Sequence, residues 1–390
     1  MDENTMELTQ AATAVVQACV DVRNAMSAVE SFAKLAASAG VVGAVIGVAA
    51  SVLKLCLGDV DSAELTYMKE QFQIVRDQLD GISDQIREVL SAIEHSTSSN
   101  QYFPIEENLK NQFRNFMELL DAAPKYRESE KQSFLTHFTA TNGDQNLYTL
   151  YDAVMGHSAI FGTPILETAI KYDQRNRRLM EKLCARLKEL FCIGLIATLG
   201  HAALAGIDTE TLKKKWDERL SKLDIKMKSM IDRCINEFAE QAKTEVEKMV
   251  KDKGKKSHEE CANYIRDHLG KKYDWVFWSV RVYDPVVGFE NHAADGRNRF
   301  HFFRLNNVNI IVSYATDPKP FKDEKVKQFM KGKDGWDDAR NVCNAVFKDF
   351  PGHFIHTVRR YKGLWGAWTF PKDCHFWQTY AGVTLCVHSS

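Results

Sequence analysis

Residues 35–53, LAASAGVVGAVIGVAASVL, carry no charge and lie between Lys34 and Lys54. In a chain where 26% of residues are charged, so long a gap leaves two forms. The segment is a helix buried on all sides, or it enters a bilayer. It just reaches the ~20 apolar residues that a span needs. Its Ala, Gly and Ser content weakens the drive to insert compared with Leu or Phe. Gly40, Gly43 and Gly47 suit close helix contact in either setting.

A second charge-free stretch, residues 191–207 (FCIGLIATLGHAALAGI), closes another long helical pattern. Two matched apolar helix ends fit a soluble form in which they shield each other and are released together. On that reading Val41, Val42, Val45, Ile46, Val48, Ile193, Leu195, Ile196 and Leu199 are the membrane-inserting candidates. Two core helices of an ordinary bundle give the same pattern. His201 has no carboxylate or Cys at ligand spacing and reads as a core histidine.

Net charge is -1, which points away from nucleic acid, but the average hides an asymmetry. From Lys255 onward there are 21 Lys/Arg against 15 Asp/Glu, and before it 30 against 37. Six of the seven Trp and eight of the twelve His also lie after Lys255. An acidic domain, residues 1–255, is therefore expected to precede a basic, aromatic one, residues 256–390. Nine scattered Cys without a C-x-x-C argue against a disulfide framework or a zinc ribbon. The acidic start Met1-Asp2-Glu3 is unlike a secretory signal. Cytoplasmic synthesis is expected, with membrane association or non-classical export left open.

The first domain reads as helices. Leu65, Met68, Phe72, Val75, Leu79, Ile82, Ile86, Val89 and Ile93 step by three and four over four heptads, as in a coiled coil or bundle. Shorter helices are expected over 105–120, 129–139 and 147–154. A second long helix is expected from Pro164 to Leu204. A third carries Trp216, Leu220, Leu223, Met227, Met230, Cys234 and Phe238, and ends in a Lys-rich linker at 248–256. After a helix at 258–269 the signal turns to β-formers, with strands expected at 275–283, 299–305, 308–314, 353–361, 364–370 and 382–388. Helix returns at 337–347, and 319–333 reads as a solvated loop. The expected fold is α+β: an elongated antiparallel bundle of long helices followed by a smaller β-rich domain.

No Gly-rich phosphate loop, G-x-S-x-G, H-E-x-x-H or framed carboxylate pair occurs, so no catalytic residue, metal or cofactor is assigned and no enzyme is expected. His258 and Cys261 share a helical face, but no His/Cys spacing matches a zinc pattern. Cys343, Cys374 and Cys386 are candidates to pair on export. The segment 359–370 mixes cations with amphipathic rings, which suits a membrane interface, a glycan or a protein partner. Arg359, Arg360, Tyr361, Trp365, Trp368 and Trp377 are the recognition-surface candidates, against the alternative that most of these rings form the core of a small sheet.

Several blocks in order resemble the rapunzel family of fish proteins, which overlaps sequences described as cephalotoxin-like. They are YMKEQFQIVRDQLD (67–80), NLKNQFRNFMELLDAAPKYRE (108–128), LYTLYDAVMG (147–156) and RNRRLMEKLCARLKELFCIGLIATLGHAAL (175–204). In the β-rich part only VRVYDPVVG (280–288) matches. The resemblance implies a role in fin and skeletal development and carries over no catalytic residue. The layout is similar to α-helical pore-forming toxins of the haemolysin-BL kind, an architectural analogy. The expected function is membrane-acting: a soluble form that binds a lipid membrane or a membrane glycan or protein receptor, oligomerises with its own copies and inserts. The alternative is a soluble scaffold or regulatory binding protein.

Overall fold

The computed structural model describes residues 87–91, 102–157, 163–172, 174–252, 256–331, 338–359, 363–380 and 382–389. The charge-free segment 35–53 with Val41, Val42, Val45, Ile46 and Val48, most of the heptad helix, Trp336, and Arg360 and Tyr361 lie outside these residues. The fold is α+β: helices first, then two antiparallel sheets. The chain divides into two compact units, residues 1–236 and 237–390.

The first unit contains α1 (Tyr102–Asp121), α2 (Arg127–Ala140), α3 (Gln145–Met155), α4 (Ile165–Tyr172), α5 (Arg177–Leu204) and α6 (Thr209–Asn236), numbered from the first complete helix. The long helix expected from Pro164 is two helices. Gln174 and Arg175 adopt left-handed backbone, at φ 50 and 65, which ends α4. Asn176 then caps α5 by accepting from the Leu179 N–H. Helix α1 packs against α2, α3 and α5, and α5 packs against α6 across the turn at Gly206. Gln112 of α1 pins the α2–α3 turn by donating to the Thr141 and Gly143 carbonyls.

The third expected helix is also divided. α6 ends at Asn236 and α7 (Phe238–Lys251) belongs to the second unit. The periodicity runs on, but Phe238 sits among Tyr273, Trp275, Trp278 and Tyr314 rather than in the helical core. The boundary therefore lies about twenty residues before the expected 255, because the partner of the apolar stripe changes while its spacing does not. α8 (His258–Lys272) follows, opened by a capping box between Ser257 and Glu260.

One sheet has the order β3-β4-β1-β6 and the other β2-β5-β8-β7. Their strands are β1 (Phe277–Tyr283), β2 (His292–Asp295), β3 (Arg299–Leu305), β4 (Val308–Ala315), β5 (His353–Arg359), β6 (Trp365–Trp368), β7 (His375–Thr379) and β8 (Val383–Ser389). α8 covers the first sheet. Helix α10 (Ala339–Asp349), capped by Asp338, covers the second. The segment read as a solvated loop contains α9 (Asp323–Met330), whose Val326 and Met330 join the core beneath the second sheet. Each sheet has an apolar face under helices: Trp278, Val280, Val282, Ile310 and Val312 on one, Ile355, Leu385 and Val387 on the other. By strand alternation the remaining residues, many of them polar, face the opposite way and meet between the sheets.

Candidate functional site

Three places in the described structure bear on function. The first is the apolar half of α5. Ile193, Leu195, Ile196 and Leu199 are at most 2% exposed, and 190–200 is buried throughout. Glycines set the fit. A Cβ on Gly194 would lie 2.6 Å from Leu147 Cδ2 and 2.8 Å from Leu109 Cδ2. One on Gly200 would lie 2.6 Å from the Phe116 ring. The small residues therefore let α1 and α3 approach the backbone of α5. His201 stacks on Phe138 at 4.3 Å, and burial lowers its pKa. By length and hydropathy α5 could also cross a membrane, its most apolar window averaging 1.5, but 72% of that window is buried here.

The second place is an aromatic rim. β6 and β7 are edge strands of the two sheets, and their rings meet. Trp368 stacks on His375 at 4.3 Å and lies 6.0 Å from Trp377. The Trp377 ring covers Gly366, where a Cβ would be only 2.8 Å from it. Trp365 is 45% exposed and Trp368 37%, enough to offer ring surface to a partner. Trp275 and Trp278 instead pack in the core beneath α7 and α8. Arg359 ends β5, which β8 separates from β7.

The third place was not anticipated from the sequence. Arg281, in the middle of β1, is 0% exposed, and among the described residues no carboxylate pairs with it. Its guanidinium forks. Nη1 donates to Ser279 Oγ at 2.6 Å and Nη2 to Ser313 Oγ at 2.9 Å. Each hydroxyl then reaches an imidazole: Ser279 meets His375 Nε2 at 3.0 Å, and Ser313 meets His388 Nε2 at 2.6 Å. His388 Nδ1 lies 2.7 Å from the Ser389 carbonyl, so its proton sits on Nδ1 and Nε2 accepts from Ser313. Cys386 Sγ lies 3.6 Å from Nη1 and 3.5 Å from His375 Nε2. Phe354 provides a ring 5.1 Å from the guanidinium.

The electrostatics follow from burial beside a fixed cation. His388 is pushed down to about 3, and His375 and His356 well below their usual value, by burial first and then by Arg281 and neighbouring imidazoles. His292 and His301 are also lowered. Burial raises the Cys386 thiol against the pull of Arg281. The layer holds imidazoles and a thiol around the Arg281 guanidinium, with the Arg299 guanidinium over the same Phe354 ring. Its sequence signal was strand alternation: Ser279/Arg281/Tyr283, Phe354/His356 and Cys386/His388 each recur at every second residue.

Among the described residues no three His, Cys, Asp or Glu groups lie close enough to hold a metal ion. His258 Nε2 lies 3.2 Å from Asp284, and Cys261 is in the α8 core. Cys343, Cys374 and Cys386 are buried and unpaired, so the candidate disulfides do not form in this structure.

The family model for the cephalotoxin-like middle helical domain matches residues 59–256. Protein rapunzel of Danio rerio is 39% identical over 212 residues, which is 54% of this chain and 93% of the relative. No solved structure matches. The matched helical region and this relative together place the chain in the rapunzel/cephalotoxin-like family.

Proposed function

We propose that this protein is a non-enzymatic, membrane-acting member of its family. It docks on a lipid surface through the Trp365, Trp368 and Trp377 rim, and after association with its own copies commits the apolar half of α5 to the bilayer. The observation that carries this reading is α5 itself: a helix of membrane-spanning length and hydropathy held inside a folded unit. Moving Leu195, Ile196 and Leu199 from core to lipid exchanges one apolar surrounding for another, so transfer of hydrophobic area costs little. The barrier is the lost fit of Gly194 and Gly200 against α1 and α3. Indole rings at an edge favour the headgroup region, where an amphipathic ring is half wetted.

Dye release from anionic and neutral liposomes by the full chain tests it. Release is expected, with Trp emission shifting blue on binding. Replacing both Trp365 and Trp368 by Ala is expected to cut liposome binding about tenfold, roughly 0.7 kcal/mol for each ring. A chain that neither co-sediments with liposomes nor releases dye, from neutral to endosomal pH, is not membrane-acting. The second reading, a soluble scaffold or regulatory protein with the developmental role that rapunzel resemblance implies, is favoured by the close glycine packing of α5. It predicts cooperative melting that lipid leaves unchanged.

A further inference from the structure

We propose that a small inorganic anion, chloride in ordinary media, binds between the two sheets at the Nε edge of Arg281, beside His356 and Arg299. A guanidinium keeps its proton in proteins, and a charge in a dry layer is stable only when compensated. Around Arg281 the hydrogen-bonding partners are two serines and a thiol, all neutral. The two acids nearest the charge, the Cys386 thiol and the Tyr283 phenol, are both pushed up by burial, and among the described residues no carboxylate pairs with Arg281, which leaves room for a counter-ion from solution.

Donors without an acceptor mark the place. They are Arg281 Nε, Arg299 Nη1 and His356 Nε2, the last a donor in its Nε2–H tautomer. Both guanidinium groups lie over the Phe354 ring, at 5.1 and 5.9 Å from its centre. His356 is 2% exposed and feels both charges. One anion would accept from these donors and neutralise the layer. Buried N–H donors on two cations and one imidazole suit a small monovalent anion.

The test uses the full chain at constant ionic strength, with chloride exchanged for gluconate. The melting midpoint of the β unit is expected to rise saturably with chloride, by roughly 5 °C at about a hundredfold excess over the dissociation constant. Arg281→Met, which removes the charge and keeps the bulk, is expected to abolish that dependence. Crystals grown in bromide are expected to show an anomalous peak at Arg281, a readout that stands even if the variant does not fold. Melting that ignores chloride, with no bromide peak, overturns the proposal. So does a thiolate absorbance band that disappears in Cys386→Ser, because it places the counter-charge on the sulfur.

Discussion

Among the described residues two guanidinium groups are buried, and the two units hold them by different means. In the helical unit Arg186 of α5 ion-pairs with the Glu106 carboxylate of α1, and both side chains are almost fully shielded. Glu189 adds a second, longer contact at 3.9 Å. In the β unit Arg281 donates to two serines and a thiol, and the serines in turn reach His375 and His388. A carboxylate fixes one helix against another by direct charge neutralisation. A neutral relay leaves the charge in place and makes every imidazole around it reluctant to take a proton.

The largest effect that separates the two follows from removing one partner. Glu106→Ala strands Arg186 in the core and is expected to cost about 3–5 kcal/mol, read as the urea midpoint of the helical unit. If the loss stays below about 1 kcal/mol, Arg186 is not held as described. The next is acid. The folded values of His356, His375 and His388 lie below the unfolded value of about 6.5, so the unfolded state binds more protons. Their contribution is fully present above about 6.5 and is lost as pH falls from there toward the folded values, by about 1 kcal/mol per ring for each pH unit. The β unit is expected to melt between pH 6 and 4 (about the middle of that window), before the helical unit. A helical unit that melts first reverses the comparison.

A smaller effect tests α5. Gly200→Ala gains about 1 kcal/mol of helix propensity but forces a methyl against Phe116. A net loss of about 1–2 kcal/mol is expected in thermal melts, and a gain means that α1 can retreat from α5 at little cost. Smallest of all is Arg281→Met. Replacing a buried charge by an apolar chain of similar length is expected to change stability in chloride-rich buffer by about 1 kcal/mol or less, in either direction. A loss of about 3 kcal/mol or more would make the neutral relay as structural as the Glu106 pair.

Legibility followed the locality of each signal. Apolar spacing and turn residues located α1, α2, α3 and α8 to within a few residues, because an amphipathic stripe reports burial of one face. They did not report which core the stripe meets, so α7 was joined to α6 although Phe238 packs with Trp278. Nor did they show the left-handed turn at Gln174 and Arg175 that separates α4 from α5. β2 and β7, at four and five residues, were not expected as strands, whereas the equally short β6 was, from its aromatic run at Trp365 to Phe370. Trp365 and Trp368 were legible as ring surface. The expectation that groups them with Arg359 finds no shared strand or strand neighbour.

The sequence alone determined the α+β order, the helical family, and the existence of a charge-free stretch that must be hidden from water. Each follows from composition or short-range period, which a chain carries before it folds. Tertiary structure decided what that stretch at 191–207 is packed against, and that Gly194 and Gly200 are points of contact with α1 and α3 rather than points of flexibility. It also turned five scattered histidines and Arg281 into one layer. Ser279 and His375 are 96 positions apart, and Ser313 and His388 are 75 apart. Only the pairing of strands into two facing sheets brings them within hydrogen-bond distance.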